Sequence, residues 1–401
     1  MNTEHTNMQS RLFPSIEHID DVLPHVENWP EFRVIEKDFY TVINYMVSNL
    51  DTFMDINNDP HGMVIRRECR GLIFDSETGK LISRPYHKFF NAGEKAETQV
   101  NKINLYEPHV ILEKLDGSMI RPITTAGGFR LASKAGITDI AEQAEEFIAD
   151  KPHYSTFINL CISQETTPIF EWCSRKNRIV IDYPEDQLIL TAIRYNNTGA
   201  YVEHESMKRS ASLLNIPVVK AIDGIATQNI HLLVHQIREW DDGEGVVMRF
   251  DDGHMVKIKA DDYVLRHKSK EAISQEKNVI ATIVNDEVDD LIPLLTEEDA
   301  KRILAFQKAF WLQVDDTAFE FAEVFNYGDM RYPDRKDFAV KYVQGIGSSV
   351  PPKLVPFMFK MRSGTGAREA IIQVIQKSVS SQTKIDENRW LFGNLQWNQP
   401  V

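Results

Sequence analysis

EGVVMRFDDGHMVKIK, residues 244–259, is two short apolar runs on either side of Asp252-Gly253. Asp-Gly between such runs is a strong hairpin signal. A two-residue turn there pairs Asp251 with His254, Met248 with Lys257 and Val246 with Lys259. Side chains alternate across a strand, so Glu244, Val246 and Met248 are expected on one face with Lys257 and Lys259. One carboxylate and two ammonium groups would then line one wall, with Val256 and Ile258 turned the other way. Two lysines can equally belong to a solvated strand. Their shared face with Glu244 favours a site, and a one-residue slip in register would undo that grouping.

Outward from the hairpin, residues 63 to 260 hold further short apolar runs broken by turn signals. GLIFD precedes Glu77-Thr78-Gly79, VILEK precedes Asp116-Gly117, and PIFEW ends in a polar stretch. These predict the strands of an α+β domain built mainly of antiparallel sheets, with helices over 139–150 and 203–214 flanking them. Beyond about residue 268 the pattern changes. Thr296-Glu297-Glu298-Asp299 is a cap-like start. Ile303, Phe306, Phe310, Val314, Phe321, Val324 and Phe325 then recur at helical spacing, with a break expected near Asp315-Asp316. Further helices are expected over 335–344 and 367–379, around the turn-rich GIGSSVPPK. The division expected is 1–268 for a catalytic domain with an N-terminal extension and 269–401 for an all-α domain.

The 401 residues carry a formal charge of −14. That counts against nucleic-acid binding over the whole surface, though not against a local basic groove. Arg331 to Arg389 holds eleven Lys/Arg against five Asp/Glu, which suits either RNA contact or a solvated helical surface. No apolar run is long enough to span a membrane. The first twenty residues lack the basic start and apolar run of a signal peptide. Cys69, Cys161 and Cys173 have no CxxC spacing, so neither a disulfide framework nor a zinc site is expected, and a reducing, cytoplasmic setting fits.

Four segments carry chemistry. In Lys114-Leu115-Asp116-Gly117-Ser118 a lysine follows a strand and precedes a tight turn. Such an amine attacks phosphorus only when unprotonated, which desolvation or nearby cations promote. The Asp-Gly turn lets backbone approach a nucleotide closely, although it is also an ordinary hairpin turn. The hairpin at 244–259 is the second segment. Glu171, inside the apolar Phe170-Glu171-Trp172, is costly to bury unpaired; it would bridge an arginine, or hold a ribose or a metal. The fourth is cationic: Arg66, Arg67 and Arg70 around Glu68 and Cys69, then Ser83-Arg84-Pro85-Tyr86-His87-Lys88-Phe89-Phe90-Asn91. Such groups clamp phosphates, or remain surface charges.

Taken in order, KLDGS at 114–118, IFEW at 169–172, EGVV at 244–247 and VKIK at 256–259 resemble the motifs of the covalent nucleotidyltransferase superfamily, the polynucleotide ligases and mRNA-capping enzymes. More narrowly, ECRGLIFD at 68–75, SRPYHKFFN at 83–91, NRIV at 177–180 and KIKADDY at 257–263 resemble the tRNA-repairing RNA ligases of T-even bacteriophages. The narrow resemblance spans about residues 65 to 265. It implies a nucleotidyltransferase fold and an ATP-dependent RNA ligase with Lys114 as nucleophile. It further implies Glu171 on the ribose and supporting a metal, Glu244 serving a catalytic Mg²⁺ (or Mn²⁺ in its place), and Lys257 and Lys259 on the α-phosphate. Arg70 and Lys88 would hold the triphosphate tail, and Glu113, Asp116 and Gly117 would complete the nucleotide pocket. RNA ends or nicked tRNA are the implied partner; no protein partner or membrane is implied. Ser133-Lys134-Ala135-Gly136 departs from the family's Ser-Lys-Gly-Ser form, which weakens Lys134 as a candidate. A DNA ligase or capping enzyme shares the lysine motif, but usually carries a β-barrel after the last motif, where helices are expected here. A noncatalytic RNA-binding protein of this fold would be free to lose Lys114, which is present.

Overall fold

A computed structural model of the chain describes residues 13–48, 52–54, 59–225, 228–345, 348 and 350–397. Residues 1–12, which begin the stretch without signal-peptide character, and part of GIGSSVPPK lie outside them. The chain divides into two compact units, Met1–Val264 and Leu265–Val401.

In the first unit the strands are β1 (Phe32–Glu36), β2 (Tyr40–Tyr45), β3 (Arg70–Asp75), β4 (Leu81–Ser83), β5 (Phe90–Asn91), β6 (His109–Glu113), β7 (Ser118–Thr125), β8 (Gly128–Ala132), β9 (Thr166–Cys173), β10 (Gln187–Tyr195), β11 (Gly245–Phe250) and β12 (Met255–Lys259). They form three four-stranded sheets, ordered β1-β2-β3-β4, β10-β9-β7-β8 and β5-β12-β11-β6. Pairing is antiparallel apart from the short β5, which runs parallel to β12.

Alternation explains where the pocket falls. On β9, Phe170 and Trp172 pack against helices Asp139–Ile148 and Pro152–Ser163, so Ile169 and Glu171 face the other way. On β11 and β12, Val246, Met248, Phe250, Val256 and Ile258 pack against helix Ile230–Arg238. That leaves Val247 and Arg249, with Met255, Lys257 and Lys259, on the face turned toward β9 and β10. The space between these two sheets is the candidate site.

The hairpin register differs from the sequence expectation by one residue. Val247 pairs Lys257 and Gly245 pairs Lys259, so Val246 and Met248 leave the lysine face for the core. The turn takes three residues, not two: the Gly253 N–H donates to the Phe250 carbonyl at 2.9 Å, and Gly253 sits at φ +98. A left-handed glycine after a tight turn adds one residue to the loop. Glu244 reaches the lysines from just before β11 instead. Gly245, at φ +132, interrupts the alternation there, and a Cβ on it would meet the Ile258 carbonyl oxygen at 2.1 Å.

The buried network upstream is structural. Glu68 pairs with Arg84 (3.1 Å) and Arg194 (2.7 Å), all three nearly inaccessible to solvent. Burial works against the carboxylate, but Arg194 and then Arg84 hold its pKa down at about 2. Arg66 lies over Trp29, and Arg67 pairs with Glu97. Cys69, Cys161 and Cys173 are unpaired and buried, and burial pushes the Cys161 and Cys173 thiols up to about 12.

The second unit is helical, with Ile303, Phe306, Phe310, Val314 and Phe321 in its core. The long helix Glu297–Arg331 starts on the Thr296 cap and runs unbroken through Asp315-Asp316. Those carboxylates lie on its exposed face, where Asp315 pairs with Arg368 at 2.7 Å, so nothing interrupts the backbone. The helix expected over 335–344 is one turn, Arg335–Asp337, and then a wider π-helix, Phe338–Val343. Tyr342 from that segment lies where a Cβ on Gly328 would be, and its hydroxyl donates to the Val324 carbonyl at 2.6 Å.

Candidate active site

Lys114 follows β6 directly. Its N–H donates to the Gly245 carbonyl at 2.9 Å, which fixes its backbone beside the start of β11. From there its Nζ reaches Glu244 Oε2 at 2.7 Å, while Lys259 Nζ holds the other oxygen, Oε1, at 2.9 Å. One buried carboxylate therefore bridges two lysines.

Arg70, Glu113, Lys114, Gly117, Glu171, Lys257 and Lys259 line one cavity of about 300 Å³, whose remaining walls include Leu112, Val219, Val247 and Thr191. Burial pushes the Glu171 carboxyl up to about 7; Glu244 adds like charge, against the pull of Lys114 and Arg70. Burial likewise pulls the Lys257 ammonium down to about 7, helped by Arg70, Lys114, Lys88 and Lys259. Groups shifted this far and gathered in one cleft mark a functional site more often than a structural one.

Other residues singled out in the sequence sit elsewhere. The Asp116 carboxylate faces away from the cavity and is fully engaged. Its Oδ2 accepts the Val180 and Ile181 N–H groups, both at 2.7 Å, and its Oδ1 accepts the Tyr263 hydroxyl at 2.6 Å. It ties the NRIV segment and the helix Asp261–Ser274 to the turn after Lys114. Gly117 allows that turn to close: a Cβ there would meet the Trp172 carbonyl oxygen at 2.4 Å. Lys88 lines an adjoining cavity of about 550 Å³, with its Nζ 5.1 Å from the Tyr45 ring centroid. The Lys134 Nζ lies on the same ring at 3.6 Å. Tyr45 therefore sits among Arg70, Lys88 and Lys134, which hold its hydroxyl below the usual range although burial acts the other way.

Arg249 and Thr191 also line the cavity, and the sequence did not suggest either. An arginine in a strand reads as an exposed charge. Its place on the inner face would follow only from the corrected register.

The chain belongs to the RNA ligase family, whose model matches residues 68–273, just over half of its length. It is 26% identical over 362 residues to a Thermovibrio ammonificans protein provisionally named an RNA ligase, covering 87% of this chain and 91% of that one. It is 23% identical over 329 residues to RNA ligase 1 of Bacteriophage TS2126, covering 78% and 79%. A solved archaeal ATP-dependent RNA ligase superposes with a TM-score of 0.42 at 14% identity, covering 63% of this chain and 64% of that one.

Proposed function

We propose that this chain is an ATP-dependent ligase that joins RNA 3′-OH and 5′-phosphate ends through a lysine–AMP adduct on Lys114. The observation that carries the reading is the Lys114 amine, held by Glu244 in a cleft with Glu171, Lys257 and Lys259.

In the first step the deprotonated Lys114 Nζ bonds to the α-phosphorus of ATP, the bond to the β-bridging oxygen breaks, and pyrophosphate leaves in line. Glu244 orients the Lys114 Nζ, 2.7 Å from its Oε2, and the proton of the attacking amine passes to solvent as the bond forms. In the second step a 5′-phosphate oxygen of the RNA bonds to the same phosphorus, and the P–N electron pair returns to Lys114. In the third, the 3′-oxygen bonds to the RNA phosphorus and AMP departs. Catalysis of this kind rests on positioning and charge neutralisation, which Lys257, Lys259 and Arg70 would supply. Glu171 and Glu244 are the carboxylates that would hold Mg²⁺ or Mn²⁺. Among the described residues no three His, Cys, Asp or Glu side chains form a metal cluster. Two carboxylates suit an ion that keeps waters and takes substrate oxygens, and the like-charge strain between them gives a cation reason to bind. Bound there, it supplies charge stabilisation at the phosphate oxygens.

RNA repair, including nicked tRNA, is the role proposed, with residues beyond the first unit selecting the RNA. The buried thiols suit a reducing cytoplasm.

The test is incubation with ATP labelled in the α-phosphate, followed by denaturation. A labelled band is expected, and it should be absent from Lys114→Arg, since guanidinium supplies no neutral amine near pH 7. Sealing should follow on nicked tRNA or single-stranded RNA. Label from GTP alone, label persisting in Lys114→Arg, or sealing confined to nicked DNA duplex would overturn the reading.

A further inference from the structure

Gly71 is an extra residue in β3. Ile43 of β2 pairs with Leu72 and Asn44 pairs with Arg70, so Gly71 is left without a cross-strand partner. It sits at φ +95, and a Cβ on it would meet the Lys134 carbonyl oxygen at 2.5 Å. A bulge of this kind re-aims the side chain beside it. Strict alternation would turn Arg70 to the side of Leu72 and Phe74, which pack in a core with Ile43. Arg70 lines the cavity of Lys114 instead.

Arg121, on β7 of the second sheet, holds this bulge, and its side chain is inaccessible to solvent. One Nη donates to the Gly71 carbonyl, and the other donates to the Ser133 carbonyl at 2.6 Å and the Ala132 carbonyl at 3.4 Å. Burial pulls the guanidinium down to about 9, with Tyr40 acting against this and Arg70 adding to it. A buried charge held by neutral carbonyls is costly where an apolar chain would only have to pack. Gly71 follows Arg70 and Ser133 precedes Lys134, so one guanidinium fixes the backbone beside two cations. Both converge with Lys88 on Tyr45. Burial holds the Lys134 ammonium below its usual range; Tyr45 opposes this, and Arg70 and Lys88 add to it. Like charges gathered at one ring are relieved by an anion that spans them.

We propose that Arg121 is a positioning residue: by holding the Gly71 bulge and the Ser133 carbonyl, it sets Arg70 and Lys134 at the spacing that grips the β- and γ-phosphates of the nucleotide. This rests on the nucleotide reading of the pocket given above.

The experiment measures Kd by calorimetry, in EDTA, for AMP and for a non-hydrolysable ATP analogue, on the full chain and on Arg121→Met, Arg121→Lys and Arg70→Ala. Wild type should bind the triphosphate about tenfold or more tighter than AMP, the effect of charge-assisted contacts to the added phosphates. Arg70→Ala should lower that ratio. Arg121→Met should lower it about as far, through weaker binding of the triphosphate and not of AMP. Arg121→Lys, which keeps a cation and reaches fewer carbonyls, should hold an intermediate ratio. A brace that merely stabilises the fold lowers the melting temperature and leaves the ratio where it was. Where Arg121→Met does not fold, Arg121→Lys alone decides: a ratio below wild type supports the assignment, and an unchanged ratio overturns it. Equal affinity of wild type for the two nucleotides also overturns it, as does a parallel loss of both in the Arg121 variants. A triphosphate preference that depends on Arg121, without labelling of Lys114 by ATP, would leave this inference standing and remove the ligase reading. Failure to bind either nucleotide would remove both.

Discussion

Lys257 is the residue whose protonation the fold strains most usefully. In the free protein its ammonium is pulled from 10.5 to about 7 by burial and by Arg70, Lys114, Lys88 and Lys259. The folded value lies below the unfolded one, so the stability this group contributes is present above 10.5 and is lost as pH falls through about 7. Glu171 runs the other way: raised from 4.5 to about 7, its contribution is present below 4.5 and lost as pH rises through about 7. A polyphosphate laid against Lys257 restores its ammonium. At pH 8, in EDTA, binding of a non-hydrolysable ATP analogue should take up protons, approaching about one per site. Calorimetry in two buffers of different ionisation enthalpy reads this directly. Lys257→Met should remove most of the uptake; no uptake in wild type, or the same uptake in the variant, would show that the nucleotide does not reach Lys257.

At the level of the element, Arg70 opens β3 and Lys88 lies just ahead of β5, while Glu244 and Lys257 belong to the hairpin opposite. If the first pair grips the β- and γ-phosphates, it matters only while pyrophosphate is attached. Arg70→Ala and Lys88→Ala should each slow Lys114 labelling at least about tenfold, yet retain most of the sealing of a pre-adenylated RNA. Glu244→Ala and Lys257→Ala should damage both. Equal losses in both reactions at unchanged melting temperature would move Arg70 and Lys88 to the RNA. Which parts of this arrangement are legible in sequence follows from the reach of each signal. Alternating apolar runs and Asp-Gly turns are local, so the strands around Lys114, Glu171 and Glu244 can be read. The register cannot, because it turns on the left-handed conformation of Gly253. Nor can the partner of Asp116, which reads as a turn residue while its acceptor role is met by Tyr263, 147 positions away. The two aspartates in the long helix misled for the opposite reason: a local signal of interruption was outweighed by an apolar stripe that continues past them.

For the whole molecule, the described residues that line the cavity of Lys114 all lie between Arg70 and Lys259, inside the first unit. The helix Asp261–Ser274 must be kept with it, since Tyr263 holds Asp116. A chain ended after Ser274 should therefore still form the lysine–AMP adduct, with a reduced preference among RNA substrates. A soluble, folded truncation that takes no label would place part of the nucleotide machinery beyond residue 274. No helix among the described residues is long and apolar enough to cross a membrane.

The three buried cysteines make the first unit its own reporter. All of them lie before residue 174, and residues 265–401 contain none. A thiol reagent reacts with thiolate that it can reach, so modification of native protein must wait for the first unit to open, whatever the second is doing. Under conditions where opening and closing outpace reaction, the rate of thiol trapping gives the free energy of that opening. Nucleotide should raise that free energy by RT ln(1 + [L]/Kd), slowing the trapping by the factor 1 + [L]/Kd. Comparing that free energy with the one from denaturant unfolding, followed through the second unit's Trp311, Trp390 and Trp397, would show whether the chain melts as one cooperative body or two.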